Sequence, residues 1–220
     1  MVFSNAEAGY LAGALAGMMT DSDQIGGIGG MEISVVTEFM QGYQNGAQCN
    51  NNDVEVQVEY AGTFVGPEGA VIAQDMLAQG ADVIFAAAGP TGSGAVLTTT
   101  QSGAWAIGVD TDQYITLFGN GSVDGSEKLL SSAMKNLDNA VFGTISDVVS
   151  GTFTSGTLVY DLARDGVGLA PFHEADASIP QPVRDTLDSV EKGIIDGTLD
   201  INDDCRSFKT LYLPLTLFTD

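Results

Sequence analysis

A chain of 220 residues with 29 acidic and 7 basic side chains carries a formal charge of −22, which repels nucleic-acid phosphates and anionic membrane surfaces and argues against nucleic acid as a partner. Hydrophobic residues make up 44% of it, enough to bury a sizeable core in one large domain or two small lobes, and no run of 18 apolar residues marks a membrane span. One histidine and two cysteines, Cys49 and Cys205, lack metal-ligand spacing, so no metal or other cofactor is expected.

In chain order, Val2-Phe3 is followed by Ser4 and Glu7 at capping-box spacing, ahead of Tyr10, Leu11, Ala14, Leu15 and Met18 on one helical face, which predicts a helix over 5–19. Gln24 to Gly29 reads as a strand running into a glycine-rich turn, where Gly30 either admits a ligand against its backbone or only serves the turn. Ser34 opens a helix to about Gln48, with Val35, Phe39, Tyr43 and Ala47 at four-residue spacing. Val54, Val56, Val58 and Tyr60 alternate with Glu55, Gln57 and Glu59, the pattern of an edge strand with one wet face. Pro67 and Glu68 suit the first turn of the next helix, buried through Ala70, Ala73, Met76 and Leu77 and ended by Gly80.

The stretch from Gly80 to Gln113 is the centre of the chain. Two uninterrupted apolar runs, 83–88 and 104–109, have the look of strands covered on both faces of a parallel sheet. Between them a glycine-rich turn (Gly89, Gly92, Gly94) and a helix closed by Gly103 complete a right-handed crossover. Strands 24–29, 54–60, 83–88 and 104–109 alternating with three helices predict an α/β fold, a doubly wound and mostly parallel sheet. Ligands of such sheets sit beyond the carboxyl ends of the strands, which points to Phe85 to Gly89 and to Asp110. Asp110 either accepts hydrogen bonds from two neighbouring sugar hydroxyls or merely ends its strand. Phe85 is either a surface for stacking a base or, as usual for a mid-strand Phe, core; Gly89 either meets a ligand or serves a turn.

Residues 114–128 show no periodic signal, Leu129-Leu130 suggests a short strand, and 135–150 reads as a helix with Leu137, Ala140, Val141, Ile145 and Val148-Val149. A strand is expected around 157–160. His173, beside Pro171 and Phe172, lacks a nucleophile in any elbow motif and reads as structural. Pro180 starts a last helix carrying Val183, Leu187, Val190 and Ile194, ended by Gly197, and an apolar tail runs from Leu211 to Phe218.

The segment Trp105-Ala106-Ile107-Gly108-Val109-Asp110-Thr111-Asp112-Gln113, with the glycine-rich stretch before it, resembles the basic membrane protein family of substrate-binding lipoproteins that deliver nucleosides to ABC transporters. Gly9-Tyr10-Leu11-Ala12-Gly13, Gly26 to Gly30, Gly42-Tyr43 with Gly46-Ala47, Tyr60-Ala61-Gly62-Thr63-Phe64, the Ser-x-x-Lys-x-x-Asp of Ser132, Lys135 and Asp138, and Gly166 to Leu169 with Ile179-Pro180 extend the likeness over about residues 2 to 201. The resemblance implies a lobe like those of type I periplasmic binding proteins. It also implies a non-enzymatic role: capture of a nucleoside, a purine expected, between two lobes, and a permease as partner. Asp110 and Lys135 would contact the sugar; the alternative for Lys135 is a solvated lysine at a helix start.

Family members begin with an export signal and a lipid-carrying cysteine, giving a membrane-anchored, extracytoplasmic protein. Neither is seen here, and the chain is expected to lack most of an N-terminal lobe. The division this implies is a remnant of that lobe at 1–19, the ligand-binding lobe at 20–132, a helix and strand of the other lobe at 133–165, a return with the closing helix at 166–201, and a tail at 202–220. The helices 5–19 and 135–150 would then expose apolar faces. Outside the cytoplasm Cys49 and Cys205 either pair or stay as thiols. Two other readings stand beside this one: a dinucleotide-dependent oxidoreductase, because Gly89-x-x-Gly92-x-Gly94 with Asp110 mimics a nucleotide-binding unit in the wrong glycine order, and an interaction module without a ligand.

Overall fold

The computed structural model describes residues 1–202. Its elements run β1 (Val2–Phe3), α1 (Asn5–Met19), β2 (Gln24–Gly29), α2 (Ser34–Asn50), β3 (Glu55–Tyr60), α3 (Glu68–Ala78), β4 (Val83–Ala87), α4 (Gly89–Gln101), β5 (Trp105–Asp110), α5 (Gln113–Thr116), β6 (Leu129–Lys135), α6 (Leu137–Ser150), β7 (Val159–Tyr160), β8 (Val167–Leu169) and α7 (Gln181–Ile195). A six-stranded sheet has the order β3-β2-β4-β5-β6-β8. All its pairings are parallel except the last, where β8 lies antiparallel to β6.

Side chains alternate between the two faces of this sheet, and each face has its own core. Ile25, Val83, Phe85, Ile107 and Leu130 pack with α1, α2 and α7, while Ile84, Ala86, Ala106 and Leu129 pack with α3, α4 and Phe118. This is a doubly wound α/β sheet. The chain steps from β2 outward to β3, then returns past β2 to β4, so the winding direction reverses between β2 and β4. Loops leaving these two strands diverge at that point and open a crevice at the carboxyl ends. The edge position and half-wet face of β3 agree with its alternating sequence.

Several local expectations give way. Ser4 stands at the N-cap of α1 without a side-chain capping bond. Its expected box partner, Glu7, instead accepts the Leu162 N–H at 2.8 Å. Burial pushes the Glu7 carboxyl above its ordinary 4.5, opposed by that backbone bond. The glycine-rich turn before α4 is absent because the helix begins at Gly89 itself, with Pro90 in its first turn. Gly92 there lets Ala86 and Ala88 approach closely. The strand predicted at Leu129-Leu130 continues to Lys135, so Lys135 ends a strand and does not start a helix.

The expectation that helix 5–19 is an exposed remnant of another lobe is corrected. Residues 8–17 of α1 are all buried, against α2 on one side and α7 and β8 on another. The reason lies in small residues on facing ridges. A Cβ at Gly13 would lie 2.0 Å from the Tyr43 carbonyl oxygen, and one at Gly46 2.0 Å from that of Tyr10. The two backbones thus touch where side chains would hold them apart.

An exposed apolar face is, however, found on the helix read at 135–150. β1 and β7 form a separate two-stranded parallel sheet, joined to α6 through the Tyr160 hydroxyl, which donates to Ala140 O at 3.0 Å. Leu137, Val141, Phe142, Ile145, Val148 and Val149 of α6 are exposed. The chain crosses between this small piece and the main sheet near Ser4, Asn136 and 161–166. The Asn136 N–H bonds Gly166 O at 2.9 Å and Asn139 Nδ2 bonds Asp165 Oδ2 at 2.7 Å, tying two of the crossings together. Cys49 is half-buried near the end of α2; Cys205 and the tail from residue 203, including the apolar Leu211 to Phe218, lie outside the described residues.

Candidate functional site

At the carboxyl ends of the strands lies a cleft of about 280 Å³ lined by Ile33, Val35, Val36, Phe39, Phe64, Ala87, Gly89, Val109, Asp110 and Lys135. It sits over the winding reversal. The ladder between β4 and β5 runs from Val83 opposite Trp105 to Phe85 opposite Ile107. Ala87 and Val109, farther along the same strands, both face the opening. The floor is therefore apolar backbone and small side chains, and the polar groups are confined to one wall.

That wall is made by the ends of β5 and β6. Asp110 and Lys135 are 25 residues apart in sequence, yet parallel pairing sets Asp110 opposite Met134. It leaves Lys135 Nζ 3.0 Å from Asp110 Oδ1. The Asp110 side chain is 51% exposed and that of Lys135 17%. Lys135 also lies 4.9 Å from the centre of the Phe39 ring, a cation–aromatic contact that holds its stem across the cleft. One ammonium proton serves Asp110, and two remain for other acceptors. The backbone takes the left-handed region at two positions beside the opening, Gly89 at the start of α4 (φ +56°) and Asp110 at the end of β5 (φ +66°).

The remaining expected site residues are placed differently. Phe85 has no exposed surface; its ring lies 5.1 Å from Tyr43 and 6.1 Å from Phe39. It is core, underpinning Phe39, and no face is free to stack on a base. Strand phase decides this: Phe85 points into the layer under α2, not out of the sheet's end. Burial, and after it the charge of Asp82, pushes the Tyr43 phenol well up, so it stays neutral beneath the cleft. Gly30 does not face the opening, because a Cβ there would lie 2.3 Å from the Phe64 ring. Its role is to seat that ring. Gly89 lines the cleft beneath Phe64.

Phe64 is the aromatic wall that the sequence reading overlooked as a site residue. It follows the end of β3 and is held there by its carbonyl, which accepts the Thr91 N–H of α4 at 3.1 Å. Applying the carboxyl-end rule to β3 as well as to β4 and β5 would have singled it out. Val35 and Phe39 of α2 carried only the spacing of a helix face, and Ile33 before it carried no sequence signal.

His173 binds outside the cleft: its Nε2 is 2.7 Å from Asp112 Oδ2. Among the described residues no group of three or more His, Cys, Asp or Glu side chains could hold a metal ion, and no helix is long and apolar enough to cross a membrane.

The profile of the Bmp family, ABC transporter substrate-binding protein PnrA-like, matches residues 1–204. The ABC transporter nucleoside-binding protein BmpA of Lactococcus lactis subsp. cremoris (strain MG1363) is 33% identical over 210 residues, covering 90% of this chain and 58% of its own length. The CD4+ T-cell-stimulating antigen of Listeria monocytogenes serovar 1/2a (strain ATCC BAA-679 / EGD-e) is 32% identical over 213 residues, with coverage of 90% and 58%. The chain thus spans about 58% of the length of these curated relatives. A solved ABC transporter solute-binding protein from Aeropyrum pernix K1 superposes with a TM-score of 0.75 at 25% identity, over 90% of this chain and 64% of that one.

Proposed function

Because the chain belongs to the Bmp family of PnrA-like ABC transporter substrate-binding proteins, we propose that its cleft recognises a nucleoside, with a purine as the expected base, and holds it without covalent chemistry. The observation that carries this reading is the Asp110–Lys135 pair, 3.0 Å apart on one wall of an otherwise apolar, aromatic-flanked cleft. A carboxylate accepts from two vicinal hydroxyls and the adjacent ammonium donates to the sugar oxygens, while each keeps the other tolerable out of water. Phe64 takes the part first expected of Phe85, offering an aromatic surface to the base. The name of the Lactococcus lactis relative supports the same ligand class.

The cleft is just below the roughly 300–1,000 Å³ of common ligand pockets, which suits one wall of a site whose other wall comes from a second lobe. In this proposal the exposed face of α6 and the β1–β7 pair belong to that lobe. The longer protein works outside the cytoplasm, anchored by an N-terminal lipid, and passes its ligand to a permease. A dinucleotide fits less well. Phe64 covers the start of α4, and its carbonyl already takes the Thr91 N–H that a pyrophosphate would need.

Calorimetric titration with inosine, adenosine, free ribose and NAD tests the reading. Nucleosides should bind in preference to NAD. Lys135→Met should weaken nucleoside binding by about 2 kcal/mol, roughly thirtyfold, the low end for breaking a charged pair because Asp110 is half exposed. Tighter binding of NAD, or a Lys135→Met variant with unchanged nucleoside affinity, would contradict it.

A further inference from the structure

Asp110 stands in an unfavourable backbone conformation. Its φ is +66°, and the Thr111 N–H bonds Val109 O at 2.8 Å. It is therefore the central residue of a γ-turn of the rarer, strained sense. A non-glycine residue persists there only when its surroundings over-determine it. The contact with Lys135 does not fix the backbone. The contacts that bear on it are those of the turn that follows, residues 112–116.

Asp112 accepts the Tyr114 N–H on Oδ1 at 3.1 Å, and the Gln113 N–H donates to Ser132 Oγ of β6 at 3.1 Å. The Thr116 hydroxyl bonds Asp112 O at 3.1 Å. The second carboxylate oxygen of Asp112 lies 2.7 Å from His173 Nε2, and the His173 ring stacks on Tyr114 at 4.1 Å between centres and 11° between planes. Only 13% of the Asp112 side chain and 24% of that of His173 are exposed, so water does not readily replace this contact. His173 follows β8 in the chain and opens a 3-10 turn over His173–Ser178 that packs on β6. That turn is anchored in turn by Glu174, whose Oε2 accepts from Ser126 Oγ at 2.6 Å.

We propose that His173 is a positioning residue of the sugar clamp: by gripping Asp112 and stacking on Tyr114 it holds the turn after β5, and so keeps the Asp110 carboxylate aimed across the cleft at Lys135. The inference rests on the reading of Asp110 as the carboxylate that meets the sugar. Its backbone component stands apart from any ligand.

The test compares the 220-residue chain with its His173→Ala and His173→Gln variants, since a glutamine amide also donates to a carboxylate. Backbone NMR shifts and amide exchange at Asp110 and Thr111 are read without ligand, and inosine is then titrated. His173→Ala should move the Asp110 and Thr111 shifts towards ordinary extended values, speed exchange of the Thr111 amide and weaken inosine binding about tenfold, the scale of one hydrogen bond to a charged group. His173→Gln should retain most of both. Unchanged Asp110 and Thr111 shifts in His173→Ala, or an equal loss in His173→Gln, overturn the proposal. A wild-type chain that takes up no inosine counts against the nucleoside reading alone, and the ligand-free shifts still decide the role of His173.

Discussion

Glu7 shows how one side chain can be read correctly as to type and wrongly as to partner. Its spacing from Ser4 signals a helix cap, yet the fold sets the Leu162 N–H in reach, and the carboxylate bridges two crossings of the chain. Burial is the largest influence on it and raises its pKa above 4.5. The folded state therefore favours the protonated form: this contribution to stability is fully present below pH 4.5 and is lost as the pH rises through the raised value. Glu7→Gln keeps a carbonyl acceptor for Leu162 without the charge. Thermal unfolding should find the variant more stable than the parent at pH 8, with the gap closing as the pH falls towards 4.5. A variant less stable at pH 8 would mean that the charged hydrogen bond outweighs burial. Among the site residues, Asp110 was legible because it directly follows an apolar strand run, whereas Lys135 was singled out only through the family resemblance, its strand end having the look of a helix start. The outward or inward sense of Phe85 was not legible, since it depends on strand phase against α2, and Phe64 was hidden in a loop without periodicity.

At the scale of elements, apolar runs and alternation located β2 to β5 and α2 to α4 within a few residues. What failed was set by neighbours. α1 was assigned to another lobe because its sequence position suggested it, whereas its glycines at 9, 13 and 17 fit it against α2. Gly13→Ala tests this contact. The new Cβ would fall 2.0 Å from the backbone oxygen of Tyr43, which no rotamer can relieve. Overpacking of this kind costs about 1–3 kcal/mol and exceeds the gain of about 0.5–1 kcal/mol from replacing a helical glycine. Gly94→Ala is the matched control, since its nearest neighbour, Ala70 Cβ, is 3.9 Å away. Differential scanning calorimetry should show Gly13→Ala melting about 3–8 °C lower and Gly94→Ala no lower than the parent. Equal Tm values for the two variants would dismiss the close α1–α2 packing. The extension of β6 to Lys135 and the antiparallel β8 escaped the sequence reading because both are short pairings stabilised by strands distant in the chain.

For the whole molecule, the winding reversal between β2 and β4 places an apolar cleft at the strand ends, and the adjacent ends of β5 and β6 supply its one polar wall. The alternation of strands and helices made the doubly wound sheet readable, and the order of its strands, hence the position of the reversal, emerged only in three dimensions. In the proposed account the exposed face of α6 and the two-stranded β1–β7 sheet belong to a second lobe, so the cleft described has one lobe's worth of contacts. Binding by the 220-residue chain should then be weak, with Kd no tighter than about 1 μM. Amide shift mapping during an inosine titration tests the central claim most directly. The account predicts saturable changes centred on Phe64, Gly89, Asp110 and Lys135, with Phe85 and the α6 face unaffected. An absence of changes at millimolar inosine, or changes centred on another cavity such as that between α1, β8 and α7, would contradict it.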